Sequence, residues 1–102
     1  MLDDPGDPKE FTRRYNQAAG PCVAAICQDR DLTQEETAAL LGVSTRQIRR
    51  MERGEVAYTL PQLELIARKT KTTAAAILDL IAHWPVNTRT AGAPRKGRKK
   101  KR

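Results

Sequence analysis

Four arginines fall within eight residues: Arg46, Arg49, Arg50 and Arg53. On a helix, at roughly 100° per residue, they occupy an arc of about 100°, while Ile48 and Met51 point the opposite way. A guanidinium is a permanently charged, planar fork of donors. It pairs bidentately with the O6 and N7 edge of guanine or with phosphate oxygens. The stripe therefore has the chemistry of a nucleic-acid contact; its plain alternative is a solvated helix face. Other chemistries find less support. There is no Gly-rich phosphate loop, and the single serine, Ser44, stands at a helix start. Asp29, Asp31, Glu35 and Glu36 read as solvated charges rather than a paired acid and base, so no catalytic residue and no enzyme is expected. Cys22 and Cys27 lie five apart in an apolar run, poorly placed for a disulfide, and read as small core residues. His83 is the only histidine and is far from both, so no metal site and no cofactor are expected.

The elements that must hold the stripe are legible as capped helices. No segment alternates apolar and polar residues for long, which argues against strands. Capping boxes, in which a Ser, Thr or Asp and a Glu or Gln three residues later each satisfy an orphan N–H, are expected at Thr33–Glu36, Ser44–Gln47 and Thr59–Gln62. A fourth, Asp7–Glu10, has Pro8 at the first helical position. The pattern predicts a segment at about 8–19 with Phe11 and Tyr15 on one face, interrupted by Gly20-Pro21. A helix at about 21–30 then buries Val23, Ile26 and Cys27, with Leu32 as a core anchor. A helix at about 34–41 turns Thr37, Ala38 and Leu41 inward and ends at Gly42; another at about 45–53 is closed by Gly54. Two more are expected at about 60–70, with Leu60, Leu63, Ile66 and Ala67 inside, and at about 73–83, with Ala74, Ile77, Leu78 and Ile81. His83 and Trp84 close the last helix, as core or as the edge of an interface.

Thr33 to Ser44 thus enclose one capped helix, a Gly-containing turn and the start of a second helix, with small Ala38 allowing close approach. That is a helix-turn-helix pattern. The second helix of such a unit fits the major groove, its first residues nearest the base edges. Thr45, Arg46 and Arg50 are the candidate base contacts. Arg49 and Arg53, at the sides of the stripe, are candidate phosphate contacts, together with Ser44 and with Gln34 at the start of the preceding helix.

The stretch LTQEETAALLGVSTRQIRRMERGE resembles the helix-turn-helix of lambda-repressor-like, Cro-type regulators of the XRE family. The resemblance rests on Leu32-Thr33-Gln34-Glu35-Glu36, Ala38, Leu41-Gly42-Val43-Ser44, Ile48 and Glu52-Arg53-Gly54, and continues through Thr59-Leu60, Leu63, Ile66-Ala67 and Ile77-Leu78. It covers about residues 22–80. It implies an all-α, compact five-helix domain, double-stranded DNA as ligand, and commonly a homodimer on a palindromic or pseudo-palindromic operator. Where Cys27 stands the family often has an arginine paired with the glutamate matching Glu52; here Glu52 must find Arg30, Arg49, a backbone donor or solvent. The proline usual near Tyr58 is absent, and Thr37 replaces a common leucine.

The 102-residue chain has room for one small domain. The organisation expected is an N-terminal extension over 1–20, a helix-turn-helix domain over 21–84 and a disordered basic tail over 85–102. The net charge of +7 belongs to the tail: residues 89–102 carry eight basic groups and no acid, while 1–88 carry eleven basic and twelve acidic residues. Arg95, Lys96, Arg98, Lys99, Lys100, Lys101 and Arg102 read as an electrostatic arm adding phosphate contacts without sequence preference, in preference to a localisation signal or a solubility feature. No apolar run approaches the roughly 18 residues of a membrane helix, and the acidic start lacks a signal-peptide pattern, so a cytoplasmic, nucleoid-associated protein without membrane contact is expected. The reading is a sequence-specific regulator, a repressor or autorepressor of a phage or mobile element. Its rivals are the DNA-binding antitoxin of a toxin–antitoxin pair, with a protein partner, and a nonspecific nucleic-acid binder led by the tail.

Overall fold

The computed structural model describes residues 6–85, and all the regular structure in that span is helical. Five helices follow one another: α1 (Pro8–Asp29), α2 (Gln34–Leu41), α3 (Thr45–Glu52), α4 (Leu60–Lys69) and α5 (Ala74–Ala82). Side-chain caps set where they begin. Thr33 and Thr59 form complete capping boxes with Glu36 and Gln62. At α3 half a box forms: Ser44 Oγ accepts the Gln47 N–H at 3.0 Å, and the Gln47 side chain does not reach back. Asp7 accepts the Lys9 N–H rather than that of Glu10, whose carboxylate pairs with Arg13 instead. Thr73, unremarked in the sequence pattern, caps α5 through the Ala76 N–H.

The helix ends share one solution. After each of the first four helices a residue of positive φ turns the chain, and two N–H groups reach back to carbonyls of the last turn. Gly42 (φ 72) and Gly54 (φ 82) make this turn without a Cβ to clash. Asp31 (φ 60) and Lys71 (φ 63) make it against the preference of an L residue. Their turns close all the same, through Leu32 N–H to Cys27 O at 2.9 Å and Thr72 N–H to Ala67 O at 2.8 Å.

The expected interruption at Gly20-Pro21 does not occur. α1 runs through both residues, so the expected N-terminal segment and the first domain helix are one element, and the expected boundary between residues 20 and 21 falls inside it. Pro21 removes a donor from the helix interior, a cost of about 3 kcal/mol in an isolated helix. Burial on both sides of it offsets that cost: Ala18, Ala19, Cys22, Val23 and Ala24 are all in the core. Gly20 serves contact rather than bending. A Cβ there would collide with the carbonyl oxygen of Glu52 and lie 2.7 Å from that of Met51, so α1 rests directly on the backbone of α3. A Cβ on Gly54 would likewise lie 2.9 Å from the Asn16 carbonyl oxygen.

α1 packs on α3 and α5, α2 on α3 and α4, and α4 on α5. All five helices supply the core, including Cys22, Val23 and Cys27 of α1, Ala38 and Leu41 of α2, Ile48 and Met51 of α3, Leu63, Ile66 and Ala67 of α4, and Ile77 and Ile81 of α5. Each fully buried isoleucine contributes about 1.5–3 kcal/mol of apolar transfer. Thr37 and Thr70 are buried without loss because their hydroxyls donate to the carbonyls of Thr33 (2.9 Å) and Ile66 (2.7 Å). Ile26, Leu32, Leu78 and Trp84 pack against the core while half-buried. Leu60, expected inside, is 69% exposed: the inward stripe of α4 starts one turn later, at Leu63. His83 is exposed, its Nδ1 lying 2.9 Å from the Asp79 carbonyl oxygen.

Both cysteines are free thiols in the core. Among the described residues no cluster of His, Cys, Asp and Glu could hold a metal ion, and no helix is long and apolar enough to cross a membrane. The basic tail (Arg95, Lys96, Arg98, Lys99, Lys100, Lys101 and Arg102) lies outside the described residues, as do residues 1–5.

Candidate nucleic-acid interface

α3 is eight residues long and divides sharply by face. Ile48 and Met51 are 0% and 1% exposed, while Arg46, Arg49, Arg50 and Arg53 all project outward. The inner face is held from two sides, by α2 and by α1 at Gly20. The register of the stripe is therefore fixed by packing, not by the arginines themselves. At 1.5 Å rise per residue, Arg46 and Arg53 stand about 10 Å apart along the axis. That length fits within a major groove, roughly 12 Å wide.

The other candidate residues stand at helix starts, Ser44 and Thr45 at that of α3 and Gln34 at that of α2. Thr45 is the first residue of α3 and is half-buried. Ser44 is exposed, and its oxygen caps α3 while its hydroxyl hydrogen stays available to donate. Gln34 opens α2, where backbone N–H groups face outward from a helix start. Its side chain, however, is already engaged: Nε2 donates to Glu52 Oε1 at 2.9 Å. The Gln34 amide is a partner that the set expected for Glu52 (Arg30, Arg49, a backbone donor or solvent) does not contain. Glu52 is 9% exposed and sits under the C-terminal end of α3. With cysteine at position 27, an amide of α2 supplies one tie between α3 and its neighbours. No spacing rule reports a contact across 18 residues between two helices.

Arg46 and Arg49 make no hydrogen bond or ion pair among the described residues, whereas Arg50 and Arg53 share a partner. Glu55 Oε2 accepts from Arg53 Nε at 2.8 Å, and Oε1 accepts from Arg53 Nη2 at 3.3 Å and from Arg50 Nε at 3.5 Å. The hydrogen bond from Arg53, helped by the charges of Arg53 and Arg50, holds the Glu55 carboxyl below the usual carboxylate range. Glu55 in turn pushes the Arg53 guanidinium up. Sequence reading missed Glu55 because a helical wheel stops where the helix does. The signal available was Gly54, whose positive φ folds the next residue back over the last turn.

A helix-turn-helix family model, HTH_3, matches residues 23–77, more than half of the chain. The chain belongs to this family. The HTH_3 match takes in the C-terminal part of α1, all of α2, α3 and α4, and the start of α5. Among solved structures, an HTH_3 family transcriptional regulator from Vibrio cholerae aligns with a TM-score of 0.52 and 28% identity, over 67% of this chain. The alignment covers 38% of that regulator, so this HTH_3 chain spans less than half its length. No curated protein matches the chain. The N-terminal two thirds of α1, residues 8–22, lie outside the family match.

Proposed function

We propose that the chain is a sequence-specific, double-stranded DNA-binding transcriptional regulator that inserts α3 into the major groove. The observation that carries this reading is the outward stripe of Arg46, Arg49, Arg50 and Arg53 on the second helix of a packed helix-turn-helix, opposite buried Ile48 and Met51. Thr45, Arg46 and Arg50 take the base edges; Gln34, Ser44, Arg49 and Arg53 take phosphates, Gln34 with the amide hydrogen that Glu52 leaves over. A helix seated in the groove of a promoter excludes other proteins from it, which supports a repressor. A homodimer on a two-fold operator suits the exposed Leu65 of α4 and Leu80 of α5, 39% and 48% accessible, as apolar area for a second copy.

Selection of bound sites from a random duplex pool tests the reading. The expected result is a symmetric site whose halves lie about one helical turn apart. A pool that emerges without sequence preference overturns it. Removal of residues 89–102 is expected to weaken binding to every duplex and flatten its salt dependence while leaving the selected sequence unchanged.

A further inference from the structure

α3 ends in a turn that places Glu55 on the arginine stripe. The Gly54 N–H bonds the Met51 carbonyl at 3.0 Å and the Glu55 N–H bonds the Arg50 carbonyl at 2.9 Å. The backbone of Glu55 is thereby pinned beneath Arg50 at the same time as its carboxylate bridges Arg50 and Arg53. All three side chains are about half exposed. An ion pair in water at that exposure adds little to folding stability. Its consequence lies elsewhere: a negative charge stands between two of the four guanidinium groups assigned to DNA, on a backbone that the turn holds next to them.

We propose that Glu55 is a specificity-determining residue, whose carboxylate withholds Arg50 and Arg53 from phosphates and so weakens binding to noncognate duplex more than to the cognate site. The assignment rests on the reading of α3 as a major-groove helix. Noncognate DNA offers the stripe phosphate oxygens alone, and these must displace a carboxylate already hydrogen-bonded to Arg53 while tolerating its charge nearby. At a cognate site Arg50 is directed to base acceptors at fixed positions, so fewer of the stripe's contacts are phosphate contacts that the Glu55 carboxylate opposes. Like charge facing like charge suppresses wrong partners by this route. Among the described residues no carboxylate pairs with the Arg46 and Arg49 end of the stripe, so general attraction to DNA is left to that end.

The test uses the full chain and its Glu55→Gln variant, which keeps side-chain size and the backbone turn. Each is titrated with a duplex carrying a site selected by the unaltered protein and with a scrambled duplex, across a range of salt. Glu55→Gln is expected to tighten scrambled-duplex binding by about 3- to 10-fold and to steepen its log–log salt slope by about one. The selected site should change by less than about 2-fold, so the ratio of the two affinities falls. In a background carrying Arg50→Gln and Arg53→Gln, Glu55→Gln should shift scrambled binding much less, because the groups it releases are gone. Equal tightening on both duplexes, or an unchanged scrambled affinity and slope, overturns the assignment of Glu55 while leaving DNA recognition by α3 intact. Failure of the unaltered chain to select any site overturns both.

Discussion

The two faces of α3 obey different rules. On the inner face Ile48 and Met51 are sealed in the core and the carbonyls of Met51 and Glu52 touch α1 where Gly20 offers no side chain. Shape decides everything there, because a buried atom too many or too few has nowhere to go. On the outer face four arginines stand in water, and what matters is which charges surround them. Arg46 and Arg49 are unpartnered among the described residues, and Arg50 and Arg53 are held by Glu55. One helix of eight residues thus separates what fixes its position from what fixes its ligand.

The largest effect expected is on the inner face. Ile48→Ala removes a fully buried side chain and should lower unfolding free energy by about 2–5 kcal/mol, read from a urea titration. A loss below about 1 kcal/mol would break the contrast, since α3 would then not depend on its packed side. Gly20→Ala should destabilise by about 1–3 kcal/mol, because the new methyl group meets backbone carbonyls rather than flexible side chains. The outer face should behave in the opposite way. Arg46→Ala should leave stability within about 0.5 kcal/mol and weaken binding to a selected site by about 1–3 kcal/mol, relaxing preference at one base position.

A smaller effect reports on the inner seam through pH. Burial pushes the Cys22 thiol up to about 11, above its ordinary value near 9. The folded chain therefore holds this proton to higher pH than the unfolded chain does. The stability that follows is fully present below about pH 9 and is lost as pH rises towards 11. Urea midpoints across that window should decline in the unaltered protein more steeply than in Cys22→Ala. Identical slopes would mean that Cys22 meets water.

Least of all is expected from Lys71→Gly. It relieves a positive φ that lysine adopts with strain and should raise stability by up to about 1 kcal/mol, at a turn outside α3.

Most of the scaffold could be read from residue types. Threonine and glutamate or glutamine three residues apart located the starts of α2 and α4, and Gly42 and Gly54 located the ends of α2 and α3. The stripe and its buried opposite followed from 100° per residue alone. Sequence reading failed where a residue type has two uses. Glycine followed by proline ordinarily punctuates, yet at 20–21 the glycine admits a neighbouring helix and the proline is carried by burial. Leucine at a stripe position ordinarily packs, yet Leu60 stands on the first turn of α4, outside the core. Asp31 and Lys71 take turns that glycine usually takes, and nothing local announces it.

Local chemistry, then, settled for this protein where helices start and stop and which way each of their faces points, because caps, turns and periodicity act over a few neighbouring residues. Tertiary packing settled the continuity of α1 and the Gln34–Glu52 tie between α2 and α3. Each of these depends on helices brought together from distant parts of the chain. Spacing along a sequence measures distance only within one helix.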